Sequence, residues 1–550
     1  MTLRSMSAEP SVAYMQHEPR DHYTLEVLLA QHAATTPDKV CYYIDDVALT
    51  FGELHSSADT AAGALLGLGV QPGDSVALFA DSCPQWLTIW LALPRIGALS
   101  VPVNTMFKGE FLAHQLRDAA ASVAVVSARL LDRILELLDE LPKLHTVLVL
   151  GEVADAAAPA TSRVRVLSAE VLSSSDGCAI TGRAVPLAWN EPASLIYTSG
   201  TTGPSKGVMV SQHYLISGAQ VVVDAGNWSE PDVLFGAVPL FHGSGLLGLV
   251  LPALITGCTS VIDKQFSVSA CWDRVRKYGA TGMMAVGPMI MMLWSLPESD
   301  DDSRLPLQVV LAAPIPAEVH HAIEKRYGVR LTTIYGLTEA QPITVMPVTG
   351  PAVPGSAGKA SPYFEVRVVD DNDEDVATGV VGEIVCRPTR PHVMFEGYRG
   401  READTLNQMR NLWFHTGDLG RLDAQGYLFF VDRKKDAIRR RGENISSVEL
   451  ERSVTAHPAV QECAALPVPS ELGEDDVKIA VILGDAQLTH EELMDHCVAV
   501  IPYFALPRYI EFVDRLPRNA TGRVQKFLLR EQGITPSTWD REAAGYVIQR

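Results

Sequence analysis

In the run Tyr197-Thr-Ser-Gly-Thr-Thr-Gly-Pro-Ser-Lys-Gly207, three glycines and five Ser or Thr hydroxyls crowd into the ten positions 198–207, after the apolar Ala193-Ser-Leu-Ile196. Gly200 and Gly203 permit the turns that aim backbone N–H groups at an anion. Thr198, Ser199, Thr201 and Thr202 add donors, and Lys206 adds positive charge. This is the chemistry of a phosphate cradle. It is not the Gly-Lys-Ser/Thr loop of the common nucleoside triphosphatases, because Lys206 follows Ser205 and precedes Gly207. A flexible linker is the competing reading, but linkers seldom set a lone Lys and paired threonines behind a buried strand.

The elements that must position this loop have an α/β pattern. Short apolar runs at 75–80, 123–126 and 146–150 alternate with helical stretches such as 85–95, which predicts parallel sheets with helices on both faces. Residues 152–190, rich in Ala, Ser and Pro, read as a surface excursion between two sheet systems, with a boundary near 190. Segments 364–369 and 382–386 alternate around the acidic run 370–375 and predict an antiparallel pair. That run lacks the sixth-position Gly and twelfth-position Glu of a calcium loop, so it reads as a solvated turn.

After an apolar strand at 427–431 comes a dense charged cluster, Asp432-Arg-Lys-Lys-Asp436, that marks a domain junction. Beyond it a helix near Ser447, a strand at 477–482 and a helix at 490–500 suffice for one small α+β domain. The chain thus divides into an N-terminal domain, 1–431, with subdomains of about 22–190, 191–350 and 351–431, a junction at 432–436 and a C-terminal domain, 437–550. The 550 residues are enough for three to four such units, given about 150 residues each.

Composition narrows the function classes. The net charge of −20 opposes docking to phosphate backbones or anionic lipid, so no nucleic-acid partner is expected. The eight cysteines are never closer than thirteen residues, which excludes zinc or redox spacings and suits a reducing compartment. The first 21 residues have no apolar core of a secretory signal, so a cytoplasmic location is expected. Residues 233–262 contain no Asp, Glu, Lys or Arg and imitate a membrane span, but Pro239, His242 and Pro252 interrupt them. A buried helix fits better than a span.

With the loop stand Pro239-Leu-Phe-His-Gly243, Ala312-Ala-Pro-Ile-Pro316, Tyr335-Gly-Leu-Thr-Glu339, His415-Thr-Gly-Asp418, Asp432-Arg-Lys-Lys-Asp436 and Arg441-Gly-Glu-Asn-Ile445. In this order they resemble, over nearly the whole chain, the adenylate-forming superfamily of acyl-CoA synthetases, carrier-protein adenylation domains and luciferases. Arg440-Arg-Gly-Glu-Asn-Ile-Ser446 is most similar to the branch of crotonobetaine/carnitine-CoA ligases and related small-acid ligases. The resemblance implies an ATP-dependent carboxylate–CoA ligase with a small carboxylic acid, ATP, Mg²⁺ and coenzyme A as partners. A non-CoA acceptor (a carrier-protein phosphopantetheine, an amine, or nitrite activated toward an aryl amine) and an impaired nucleotide-binding homologue remain alternatives.

By this resemblance Thr198 to Gly207, with Lys206, holds the β- and γ-phosphates, and Tyr335 with Gly336 stacks on adenine against a wall made by Ala313 and Pro314. Thr338 bonds the α-phosphate and Glu339 helps hold Mg²⁺, for which one carboxylate is enough. Asp418 and Arg433 contact the ribose, Lys435 is the hinge of domain rotation, and Gly442 and Glu443 lie on the CoA side. His242 is either a buried histidine satisfied by backbone or an acyl-pocket or gate residue.

Two features depart from the family pattern. In Leu516-Pro-Arg-Asn-Ala-Thr-Gly-Arg-Val-Gln-Lys526 the position of the family's adenylation lysine is held by Arg523. Arginine keeps the charge but replaces a point charge by a planar fork. Lys526, three residues on, reaches the same place only if the backbone shifts; otherwise it is a solvated lysine. The second feature is the cluster Met283, Met284, Met289, Met291 and Met292. It reads either as a core helix or as a deformable apolar acyl site that includes Met289. No acidic residue in the segment marks a cationic substrate.

Overall fold

The computed structural model describes residues 24–152, 163–173, 185–198, 205–434, 438–440, 443–445, 447–470, 475–484, 487–501, 505–518 and 524–548. Continuous apolar runs become strands covered on both faces, as the fully buried Ser75–Phe79 at the centre of an eight-stranded sheet illustrates. From edge to edge that sheet runs Gly397–Tyr398, Gly207–Ser211, Pro192–Tyr197, Leu99–Pro102, Ser75–Phe79, Ala121–Ser127, Thr146–Leu150 and Arg165–Ser168. The strands from Leu99–Pro102 to Arg165–Ser168 are parallel. Pro192–Tyr197 and Gly207–Ser211 form an antiparallel pair, and the Gly/Ser/Thr loop joins them.

A nine-stranded sheet lies against this one. Its centre, Val40–Ile44, Thr259–Ile262, Val233–Gly236, Gly282–Val286, Val309–Ala313 and Arg330–Leu337, is parallel. Val47–Thr50 closes one edge antiparallel, and Ala340–Met346 with Lys359–Ala360 closes the other. One hydrophobic core takes Val76, Leu78 and Val125 from the first sheet and Tyr42, Leu234 and Leu311 from the second. The helix Gln212–Gly226 is buried along almost its whole length within it. The class is therefore α/β with mixed sheets.

Four antiparallel strands, Phe364–Val369, Gly382–Pro388, Phe414–Leu422 and Leu428–Arg433, make a third sheet. The expected pair is in register from Phe364 against Pro388 to Val369 against Glu383. Its acidic turn is closed by its own groups: Asp370 Oδ1 accepts from the N–H of Asn372 at 2.8 Å and of Glu374 at 3.1 Å. The C-terminal unit has a mixed sheet of Val460–Pro469, Asp475–Leu483, Tyr509–Phe512 and Trp539–Asp540, with helices Ser447–Thr455, His490–Val500 and Lys526–Gln532.

Three sequence expectations change. The boundary near 190 does not separate sheets. Pro192–Tyr197 and Gly207–Ser211 join the strands that precede it, and Val40–Ile44 joins the sheet of residues that follow it. Strand partners are chosen by complementary buried faces, here including the Ser100 to Ser194 hydroxyl bond of 2.9 Å, and not by nearness in the chain. The methionine cluster is not one helix. Met283 and Met284 lie on the strand Gly282–Val286 and face two different cores, while Met289, Met291 and Met292 lie on the helix Gly287–Trp294. The third concerns His242, which is exposed at the start of a short helical turn, its Nδ1 2.7 Å from Ser244 Oγ, so the reading of a buried histidine does not hold.

The stretch that imitates a span contains the buried π-helical Leu246–Val250 and α-helical Leu251–Thr256. Among the described residues no helix is long and apolar enough to cross a membrane.

Candidate active site

The base of the loop is fixed by backbone geometry. Tyr197 pairs with Gly207 across the hairpin, Thr198 N donates to the Lys206 carbonyl at 3.2 Å, and Lys206 N donates to Thr198 Oγ1 at 3.3 Å. Ser199, Gly200, Thr201, Thr202 and Gly203 lie outside the described residues. Lys206 leaves the hairpin toward Tyr398, with its Nζ 4.8 Å from the ring centroid and 3.4 Å from Asp404 Oδ2.

The second component comes from Arg330–Leu337 and Ala340–Met346, an antiparallel pair whose connection carries Thr338 and Glu339. Glu339 is 7 % exposed, and burial pushes its carboxyl above the ordinary range, against the opposing donation of Tyr398 Oη to Oε1 at 2.6 Å. The Thr338 carbonyl accepts from Tyr214 Oη at 2.8 Å. The connection leaves no room at Gly336, where a Cβ would lie 2.7 Å from Gln341 Cβ and 2.8 Å from the Ala340 carbonyl oxygen. Gly336→Ala is therefore expected to cost about 1–3 kcal/mol of stability. It should also slow nucleotide-dependent activity at least ~10-fold, since 1.4 kcal/mol misplaced at a site is already tenfold. Thermal melting and pyrophosphate release measure the two, and wild-type values in both would show that the turn tolerates a side chain.

Ala312 and Ala313 end the strand Val309–Ala313, which enters Arg330–Leu337 in parallel register. Pro314 packs on Gly287, the first residue of the helix that carries Met289, so the methionine helix starts at this wall. Met289 is partly buried against the core.

The third component is the hairpin of Phe414–Leu422 and Leu428–Arg433, in which Asp418 stands opposite Arg433. Asp418 is 2 % exposed. Its Oδ1 lies 2.9 Å from Arg433 Nε, and its Oδ2 accepts from Tyr335 Oη at 2.8 Å. The Tyr335 phenol thus joins the strand Arg330–Leu337 to this hairpin. Burial, with the adjacent Asp418 charge, holds the Tyr335 phenol protonated.

Glu383 is a residue that sequence reasoning missed. It accepts from Gly417 N at 3.2 Å and from Lys434 Nζ at 3.0 Å, and lies 3.3 Å from His415 Nδ1, so it ties the His415-Thr-Gly-Asp418 turn to Lys434, within the 432–436 junction. Lys435 and Gly442 lie outside the described residues, and Glu443 is the first residue of the strand Glu443–Ile445.

Near the C-terminus, Arg523 lies outside the described residues. Lys526 does not match its reading as a solvated lysine. It begins the helix Lys526–Gln532, pairs with Glu451 Oε1 at 2.7 Å and donates to Ser447 Oγ. Ser447 N in turn donates to Asp432 Oδ2 at 2.7 Å. Glu451 Oε1 also accepts from the Ala465 N–H, 2.7 Å away, so the cluster spans the helix Ser447–Thr455, the strand Val460–Pro469, Lys526 and, through Ser447, Asp432.

Elsewhere His320, His321 and Glu324 approach one another, but Glu324 Oε1 already accepts from Leu331 N at 3.1 Å and faces Arg330 at 3.4 Å. An adjacent guanidinium opposes a cation there.

A hairpin joined by the Gly/Ser/Thr run, a buried carboxylate and a lysine that both contact Tyr398, and an Asp–Arg pair on a separate β-sheet accompany a small C-terminal unit. Residues 29–399 match the AMP-binding enzyme family and residues 449–523 match the AMP-binding enzyme C-terminal domain. The chain belongs to the AMP-binding enzyme family. It is 30% identical over 491 residues to a crotonobetaine/carnitine–CoA ligase of Citrobacter koseri, covering 87% of this chain and 92% of that one. Among solved structures it is similar to the anthranilate CoA ligase AuaEII in complex with anthranoyl-AMP, with a TM-score of 0.82, 26% identity and coverage of 96% of this chain and 99% of that one. It is also similar to ATP-bound MatB from Rhodopseudomonas palustris, with a TM-score of 0.80, 26% identity and coverage of 92% and 99%.

Proposed function

We propose that the chain is an ATP-dependent carboxylate–CoA ligase that works in two steps. A carboxylate oxygen of the acid attacks the α-phosphorus of ATP and expels pyrophosphate, giving an acyl-adenylate. The CoA sulfur then attacks the acyl carbon and AMP leaves, so that no protein nucleophile is needed. The observation that carries this reading is the convergence of Lys206 and Glu339 on Tyr398, with the Asp418–Arg433 pair joined to the same element through Tyr335.

In this reading Thr198 and Lys206 bind the departing phosphates, Thr338 the α-phosphate, Tyr335 and Gly336 the adenine against Ala313 and Pro314, and Asp418 with Arg433 the ribose. Charge develops on phosphate oxygens in the first step and on the acyl oxygen in the second, so rate comes from prearranged donors and positioning. Glu339 fits a divalent cation: burial disfavours its ionised form, a nearby cation restores it, and one carboxylate suffices when phosphates supply most ligands. Bound there, Mg²⁺ would neutralise phosphate charge. Lys435 serves as the hinge between the two steps, with residues 437–550 as the moving lid, Arg523 as the adenylation cation, and Gly442 and Glu443 on the CoA side. The acid is small and aliphatic or aromatic, held beside the methionine helix with His242 at the entrance.

Pyrophosphate release from Mg-ATP across a panel of such acids, with and without CoA and with acyl-CoA followed by mass, tests the proposal. Acid-dependent release with a CoA adduct is expected. Release without an adduct would move the search to another acceptor, and no release with any acid would overturn the proposal.

A further inference from the structure

Two groups assigned above to the phosphates come from different sheets, yet both rest on one side chain. Tyr398 is 4 % exposed. Its Oη donates to Glu339 Oε1 at 2.6 Å, and its ring face carries Lys206 Nζ at 4.8 Å from the centroid. The two contacts use independent parts of the phenol: the in-plane O–H orients a carboxylate, while the π-face attracts an ammonium.

The backbone leaves Tyr398 little freedom. Gly397–Tyr398 forms the edge strand next to Gly207–Ser211, with Tyr398 opposite Val208, two residues past Lys206. Arg399 N donates to the Gly207 carbonyl at 2.9 Å, and Tyr398 N donates to Thr405 Oγ1 at 3.0 Å. On the other side Phe395 N donates to the Glu339 carbonyl at 2.9 Å, and the Phe395 ring meets the Tyr398 ring edge-on at 5.1 Å. The segment 395–399 therefore laces the Glu339 turn to the start of the lysine's strand.

We propose that Tyr398 is a positioning residue that holds the Glu339 carboxylate and the Lys206 ammonium toward the same phosphate groups. The inference rests on the assignment of Glu339 to the cation side of ATP. Donation to Oε1 stops rotation of the carboxylate and leaves Oε2 as the oxygen presented to a cation. The ring face and the Asp404 carboxylate, 3.4 Å from Nζ, hold the Lys206 ammonium between them, and without the ring only the carboxylate is left to place it.

The test is ATP affinity by titration calorimetry in Mg²⁺ and in EDTA, for wild type, Tyr398→Phe and Tyr398→Leu. Wild type is expected to bind ATP more tightly in Mg²⁺. Tyr398→Phe keeps the ring under Lys206, so its EDTA affinity should stay within about twofold, while the Mg²⁺-dependent gain falls roughly tenfold or more, as for a lost hydrogen bond to a charged group. Tyr398→Leu should also lose affinity in EDTA. In a Glu339→Gln background, Tyr398→Phe should have no further effect on the gain. An unchanged Mg²⁺ gain in Tyr398→Phe, or equal losses in EDTA for the Phe and Leu variants, would overturn the inference. A wild type with no Mg²⁺ gain would instead remove the Glu339 assignment, and this inference with it.

Discussion

Arg523→Ala is expected to slow acyl-adenylate formation roughly 100- to 1,000-fold, the loss that follows removal of one prearranged charge from a developing anion. Thioester formation from supplied acyl-adenylate and CoA should keep its rate. The prediction turns on Lys526, the other basic residue of the motif. Its side chain is 14 % exposed and its ammonium already pairs with Glu451 and Ser447. Drawing it away would strand Glu451, whose carboxyl burial already pushes up. Lys526→Ala should therefore act on stability, lowering it by about 1–3 kcal/mol through a lost charged hydrogen bond, and denaturant unfolding measures this. Arg523→Lys should keep adenylation, since it restores the point charge of the family pattern. A silent Arg523→Ala alongside a Lys526→Ala that abolishes pyrophosphate release would shift the assignment by three residues.

Much of the fold was legible because the signals were local. The strand Thr146–Leu150 and the helix His490–Val500 coincide with their expected bounds. The helix begins where Thr489 and Glu492 form a reciprocal cap, a pattern visible four residues wide. The antiparallel pair around the acidic run was equally plain, since alternation and a polar turn specify a hairpin without help from the rest of the chain.

What was not legible depended on distant partners. Nothing in Pro192–Tyr197 says that it will pair beside Leu99–Pro102 and so carry the Gly/Ser/Thr loop into the earlier sheet. Met283 and Met284 read as one cluster with Met289, but a strand sends neighbouring side chains to opposite faces, which divides them between two cores. Tyr398 was invisible for a similar reason. It sits in a two-residue edge strand with no periodicity, and its meaning comes from Glu339, 59 positions away on the other sheet, and from Lys206, at the start of the neighbouring strand of its own sheet. Order along the chain marked the candidate site, while the charges that bind it together appeared only in three dimensions.

Asp418→Asn is expected to impair both half-reactions, lowering kcat/KM for ATP by roughly 100-fold, about two charged hydrogen bonds at 1.5 kcal/mol or more each. The change is nearly isosteric, so packing survives, but the amide offers one acceptor where the carboxylate offers two. Asp418 faces donors on both sides, Arg433 Nε at 2.9 Å and Tyr335 Oη at 2.8 Å. An asparagine NH₂ must therefore oppose one of them, loosening either the ribose side or the adenine wall. Because the AMP portion stays bound from ATP through acyl-adenylate, the defect should persist when synthetic acyl-adenylate and CoA are supplied. Glu339→Gln should behave differently, since the β- and γ-phosphates depart after the first step: it should slow pyrophosphate release and spare consumption of the supplied adenylate. Measured side by side, the two variants separate ribose binding from phosphate binding. An Asp418→Asn enzyme slowed only in the first step would place that carboxylate with the phosphates and leave the ribose to other residues.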